Sequence, residues 1–216
     1  MTDVQDPDLR ERFAAAVLAG ELQLAGSWGR PCLGYLLILR PDAAASAAFA
    51  DLQDQVAALE PGLMRQPGHA LHTTVGFLVP VHQQVAGDKD EIWRRNGARW
   101  VAAVRTARQS LALPFRLRYR RLIATDSAII AVADGPSPIT GLRQQLTASL
   151  DLPWPLAKGP LVHVSLFRYR QALRDPEGLL RALSALDFMI ETEVSELLAI
   201  RETTFPCLEY EVLHRL

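Results

Sequence analysis

Apolar runs and helical stripes alternate along this chain in an order that repeats. "PCLGYLLILRP" (31–41) is an apolar run closed by Pro41, which reads as a buried strand. Asp42 then caps a helix whose Phe49, Leu52, Val56 and Leu59 share one face, and Pro61-Gly62 stops it. A strand over 70–79 ends at Pro80. A long helix over 89–112 follows, with Ile92, Trp100, Val101 and Val104 among its apolar positions. "FRLRYRRLIAT" (115–125) alternates apolar and basic residues, the period of a half-buried strand.

The same order then restarts. "SAIIAVAD" (127–134) is a strand. Ser137-Pro138 opens a helix with Leu142, Leu146 and Leu150 at four-residue spacing. A Pro-rich loop leads to the strand "LVHVSLFRY" (161–169), and Asp175-Pro176 opens a helix carrying Leu179, Leu183 and Leu186. Two further strands are expected, at about 189–200 and 207–215. The caps Asp42 and Ser137 are spaced by 95 residues. Strand, helix, strand, helix, strand therefore occurs twice. This predicts an α+β fold of two pseudo-symmetric lobes, with antiparallel sheets, flanking helices and a cleft between the lobes. Lobe one spans about 31–125 and lobe two about 126–215. Ahead of them, residues 1–30 form a helical extension, with Asp6 as cap and Pro7 in its first turn.

The second strand of each repeat carries the chemistry. "LHTTVGFL" (71–78) and "VHVSLFRY" (162–169) each place a histidine two residues before a hydroxyl residue, and the histidines are 91 residues apart. On a strand, residues two apart share a face. His72 and Thr74 therefore point one way, and Leu71, Thr73, Val75 and Phe77 the other. His163 and Ser165 share a face, backed by Val162, Val164 and Leu166. Two imidazoles and two hydroxyls facing one cleft suit in-line displacement at phosphorus. One imidazole takes a proton, the other gives one, and the hydroxyls hold the phosphoryl oxygens. No metal or other cofactor is needed for that chemistry. His69, three residues before His72, would face the other way and has no third ligand close by in sequence.

These two motifs resemble those of the two-histidine (2H) phosphoesterase superfamily, whose LigT-like branches include RNA 2′,3′-cyclic phosphodiesterases and 2′-5′ RNA ligases. The resemblance rests on His72-Thr73-Thr74-Val75 and His163-Val164-Ser165-Leu166. It extends to Phe77 and Arg168, each five residues after its histidine, and covers about residues 31–215. It implies catalysis by His72 and His163 and phosphate binding by Thr74, Ser165 and Arg168. Strict alternation puts Arg168 opposite His163, so its role requires a bulge, twist or strand end. The implied activity is metal-independent hydrolysis of a 2′,3′-cyclic phosphate on RNA or a nucleotide. The alternatives are 2′-5′ ligation, the same chemistry reversed, and a binding module without turnover. Trp154 and Tyr169 flank the second motif and are candidates to stack on a base, against a plain packing role. Tyr35 is a candidate to approach the cleft.

Charge narrows the partners. The net charge of −1 over 216 residues gives no bulk attraction to nucleic acid or anionic membrane, so an anion site must be local. Arg116, Arg118 and Arg120 share one face of their strand, as a solvated row or a basic wall for a polynucleotide. The expected partner is a nucleotide or RNA end bearing a cyclic phosphate, with no membrane and no obligate protein partner. Cys32 and Cys207, with no secretory signal in the opening residues, point to reduced thiols and a cytoplasmic setting.

Overall fold

The repeated order of elements is realised as two interleaved halves of one sheet. In the computed structural model, residues 7–135, 137–157 and 159–216 are described, so Asp6, the expected cap, lies outside them. The first helix, α1, is Pro7–Leu18. The first repeat is β1 (Pro31–Leu39), α2 (Ala43–Leu59), β2 (Leu63–Arg65), β3 (Thr73–Val79), α3 (Lys89–Arg108) and β4 (Phe115–Ala124). The second is β5 (Ile129–Ala133), α4 (Pro138–Ser149), β6 (His163–Tyr169), α5 (Pro176–Ala185) and β7 (Ile190–Val194), followed by β8 (Leu198–Thr204) and β9 (Glu209–Arg215). Asp42 and Ser137 cap α2 and α4 as the sequence indicates, their side chains accepting from the N–H groups of Ala45 and Ile139.

The nine strands among the described residues join in a single antiparallel sheet, in the order β7-β4-β5-β6-β3-β1-β8-β9, with β2 also paired to β6. The fold is α+β and antiparallel, as expected. Its halves are not the contiguous segments 31–125 and 126–215, however. β4 and β5 are joined by a short turn and pair with each other, because sequential strands close the shortest loop. β8 and β9 return to the other end of the sheet and extend it from β1. The tail holds three strands where the sequence suggested two. A short strand, β2, also lies ahead of the first motif, where no apolar run announces it.

One face of the sheet carries the main core. Phe49, Leu52 and Val56 of α2, Trp100 and Val104 of α3, Leu142 and Leu146 of α4, and Leu179 and Leu183 of α5 pack there. Leu59, grouped with the α2 stripe in the sequence, is exposed at the helix end. The opposite face is open and holds two small apolar clusters. Leu36, Ile38, Leu198, Ile200 and Cys207 lie on one half, and Ala128, Ile130 and Val132 on the other. The two histidine motifs meet between them. Among the described residues, no helix is long and apolar enough to cross a membrane.

Candidate active site

β3 and β6 touch through one residue pair, Thr73 opposite Val164. In an antiparallel ladder that register sets His72 opposite Ser165 and Thr74 opposite His163. Thr73, Val75, Val164 and Leu166 are buried on the helix side, while His72, Thr74, His163 and Ser165 are half-buried on the open side. The alternation read from "HTT" and "HVS" thus holds at the seam. Thr73 is tied into the core, its hydroxyl 2.9 Å from that of Tyr119.

Beyond the hydroxyl residue each motif strand bulges. On β3, Ile38 pairs with Thr74 but Leu37 pairs with Gly76, leaving Val75 as the extra residue. On β6, Ile130 pairs with Ser165 but Ile129 pairs with Phe167, leaving Leu166 extra. A bulge shifts the alternation by one. Phe77, expected on the core face, therefore joins His72 and Thr74. Arg168 likewise moves onto the face of His163, which supplies the bulge that its expected role required. The two bulges sit at equivalent points of the repeat, so the fifth position after each histidine faces the same cleft.

Two adjoining cavities lie over the seam. One of about 730 Å³ is lined by His72, and one of about 410 Å³ by His163; Thr74, Phe77, Ser127 and Arg168 line both. Ser165 lines neither. His72 Nδ1 lies 2.8 Å from the Ala70 carbonyl, which fixes the ring and leaves Nε2 as the lone-pair nitrogen of the neutral form. That carbonyl also accepts from Gln66 Nε2 at 3.3 Å, and Gln66 Nε2 donates to Pro206 O at 2.7 Å. His163 is held near the Leu161 backbone, but its buried Nδ1 makes no hydrogen bond of good geometry. Burial pushes the pKa of both imidazoles down, His163 to about 4, with the positive charge of Arg168 acting in the same direction on each.

Arg168 is the least satisfied charge of the site. Its guanidinium sits 5.7 Å from the Phe205 ring centroid, its NH1 donates to Ser127 O at 3.4 Å, and its buried Nε has no partner. Among the described residues no carboxylate lies within ion-pair distance of it. Glu202, buried in the same cavity, instead accepts from the Cys207 N–H at 2.7 Å, and burial raises its pKa. Glu202 and Asp126 favour its charge only from beyond contact distance, so the guanidinium is an open position for an anion.

No protein-family model matches the chain, and no curated protein does. Solved structures do. TT0787 of Thermus thermophilus is 19% identical with a TM-score of 0.54, over 85% of this chain and 96% of that one. A protein described as a phosphoesterase is 15% identical with a TM-score of 0.54, over 86% of this chain and 97% of that one. A lower-scoring match, with a TM-score of 0.46 and 15% identity, is to E. coli LigT, over 86% of this chain and 97% of that one. The chain has the fold of the first two. The resemblance carried by the two histidine motifs therefore holds at the level of fold.

Both of those neighbours are covered almost end to end while part of this chain is left over. This chain has an N-terminal strap that walls the cleft. Gln23 N–H donates to Asp126 O at 2.7 Å, Ala25 N–H to Tyr169 O at 2.8 Å, and Gly29 N–H to Phe205 O at 2.8 Å. Gln23, Leu24, Ala25 and Ser27 line the His72 cavity, while Leu9 and Phe13 of α1 line the His163 cavity. Nothing in the sequence pattern of residues 1–30 signals this role.

The three aromatic candidates lie elsewhere. Tyr35 faces the helix layer, stacks on Trp93 at 4.5 Å and hydrogen-bonds Asp90 of α3. Trp154 is in the core, and it is the following Pro155 and Ala157 that reach the cavity. Tyr169 lies one residue past Arg168, on the core side, and its hydroxyl donates to Thr125 O at 2.8 Å. His69 lies in a short 3-10 turn, Gly68–Ala70, rather than on a strand, with Nε2 3.1 Å from Leu208 O. Arg116, Arg118 and Arg120 are exposed on the open face two strands from β6, paired with Glu191 and Asp134. They form a solvated row, three guanidiniums set against two carboxylates.

The depressed imidazole of His163 makes stability depend on pH. Between its ordinary value of 6.5 and about 4, the unfolded chain binds a proton that the folded chain refuses. Stability is therefore present above pH 6.5 and is lost as pH falls to 4. The loss is about 3 kcal/mol at most, less where water in the cavity screens the ring. Denaturant melts at pH 4 to 7 should show a smaller pH slope for His163→Gln than for wild type. Equal slopes would mean that this histidine titrates normally.

Proposed function

We propose that the protein is a phosphoesterase that opens 2′,3′-cyclic phosphodiesters on a nucleotide or RNA end, with His72 and His163 as its proton-transfer pair and no metal ion. The observation that carries this reading is the seam. Two imidazoles and the Thr74 hydroxyl surround a buried guanidinium that no carboxylate reaches at ion-pair distance among the described residues. Arg168 and Thr74 hold the non-bridging oxygens of the cyclic phosphate. Water attacks phosphorus, forming the new P–O bond and giving its proton to one imidazole. The P–O bond to one ribose oxygen breaks, and the other imidazole protonates that oxygen, leaving a phosphomonoester. Both imidazoles are held neutral in the empty cleft. A bound phosphate anion favours the charged form and brings one of them its proton.

The test is to incubate purified protein with 2′,3′-cyclic mononucleotides and with RNA ending in a cyclic phosphate, in chelator, and to separate the products by chromatography. A phosphomonoester formed at the same rate with and without chelator is expected. Loss of activity in chelator, restored by a divalent ion, would remove the metal-free mechanism. Binding without turnover would leave only a binding module.

The two adjacent threonines separate site from scaffold. Thr74→Val removes a donor to a charged group, worth roughly 1.5–3 kcal/mol, so kcat/KM should fall about 10- to 150-fold with the melting temperature held. Ser165, at the matching position of the second motif, lines neither cavity, so Ser165→Ala should cost less in kcat/KM than Thr74→Val. Thr73→Val leaves the buried Tyr119 hydroxyl without its partner, which should cost about 1–3 kcal/mol of stability and leave kcat/KM nearly unchanged. Equal catalytic losses at Thr73 and Thr74 would mean that the facing of β3 is wrong.

A further inference from the structure

The bulges that turn Phe77 and Arg168 into the cleft are each held by a polar side chain from the other repeat. Arg143, on α4 of the second repeat, reaches β3 of the first. Its Nη2 donates to Thr74 O at 2.7 Å and its Nε to Val75 O at 3.0 Å, the carbonyls on either side of the bulge. Its Nη1 donates to Leu161 O at 3.1 Å, at the approach to β6. Gln53, on α2 of the first repeat, reaches β6 of the second. Its Nε2 donates to Leu166 O at 2.9 Å, the carbonyl of that strand's bulge, and to Gln66 O at 2.9 Å, at the approach to β3. Gln53 is fully buried, and its Oε1 is itself fixed by Arg65 Nε at 3.1 Å. The backbone repeats the crossing: Phe77 N–H donates to Leu156 O at 2.6 Å, and Gln66 N–H to Leu166 O at 2.9 Å.

We infer that Arg143 and Gln53 are paired positioning residues, each bracing the bulge of the opposite motif so that the cleft is assembled only when the two repeats are locked across the seam. The seam needs them, because β3 and β6 share one ladder pair. A bulged carbonyl that has left the ladder needs another donor. Arg143 donates to five carbonyls, two at the bulge and three in the loop before β6, and a guanidinium fork spans them where an ammonium cannot. The two braces have separate targets. Arg143 sets Thr74 and Phe77 against His163, which governs alignment for the chemical step. Gln53 sets Arg168, which governs the hold on the anion.

The experiment compares Arg143→Lys and Gln53→Met, both near-isosteric, with wild type; its kinetic arm rests on the proposed phosphoesterase activity. Arg143→Lys should lower kcat on a 2′,3′-cyclic mononucleotide about 30- to 100-fold with KM changed less than threefold, since small misplacements cost that much. Gln53→Met should instead raise KM about tenfold, and weaken inorganic phosphate binding by calorimetry by a similar factor. Hydrogen exchange, read without any substrate, should speed up at the Phe77 amide in Arg143→Lys and at the Gln66 amide in Gln53→Met, each alone. If wild type turns over no cyclic phosphate, the activity is wrong, and phosphate affinity with exchange still decides the braces. Folded variants that lose melting temperature but keep kcat, KM and phosphate affinity within twofold would overturn the inference. So would failure of both to fold, which would assign the pair to the scaffold.

Discussion

Alanine in place of either His72 or His163 is expected to lower kcat by about 10²–10⁴ while the protein stays folded. Neither ring holds the fold together. His72 makes one backbone contact, to a carbonyl that Gln66 also satisfies, and His163 has at most a weak contact to the Leu161 backbone to lose, a carbonyl that Arg143 also satisfies. Removing a neutral imidazole from a site that disfavours its charge also removes an acid-labile group, so the His163 variant should melt no earlier below pH 6. The double variant should be little worse than the singles, because two groups serving one transition state do not contribute independently. Initial rates on a cyclic phosphate, with circular dichroism as the folding control, decide the matter. Turnover near the wild-type rate in either single variant would show that the acid–base pair is wrongly assigned.

Arg168→Met should separate function from stability in opposite directions. The guanidinium is buried with its Nε unsatisfied, and its favourable contacts are one long hydrogen bond and the Phe205 face. Lost hydration of the buried charge costs several kcal/mol, and it outweighs both a cation–π contact of about 1 kcal/mol and the longer-range pull of Glu202 and Asp126. Methionine fills similar space without that cost, so the variant should melt at the same temperature or higher. It should also lose about 10²–10³ in kcat/KM, the loss usual when one preorganised donor to a developing oxyanion is removed. Lysine should not restore the rate, because it lacks the planar fork. Full activity in Arg168→Met, or a clear drop in its melting temperature, would show that the arginine is part of the scaffold.

The elements and the facing of the first three residues of each motif were legible because periodicity records which side of a strand is buried. What followed was not, because a bulge breaks the period without marking itself. Val75 and Leu166 look like any apolar strand residue, yet each shifts everything after it by one face. Phe77 was therefore placed on the wrong side. Tyr169, beside the motif in sequence, lies across the sheet from it. Trp154, near the second motif in sequence, and Tyr35, on the first strand, both pack in the core instead. The braces were invisible for a different reason. Gln53 in "DLQDQV" and Arg143 in "GLRQQL" look like solvated helix positions, and only the crossing of the halves buries them against carbonyls more than a hundred and nearly seventy residues away. The strap posed the same problem, since Gln23, Ala25 and Gly29 anchor it through backbone amides, which carry no sequence signal.

The crossing also bears on why the two motifs differ. Two identical half-chains related by a two-fold axis at the β3–β6 seam would brace each other in the same way, each lending the other its helix. Such a pair would be obliged to place the same side chain at both fifth positions. Two facing arginines would then crowd like charges into one small cleft, and two phenylalanines would leave the anion unheld. A single continuous chain escapes that obligation. With the halves covalently joined, one side of the axis presents the Phe77 ring and the other the Arg168 charge. A symmetric frame thereby encloses a polarised pocket with an apolar wall and a cationic wall, suited to a ligand that is itself part ring and part anion.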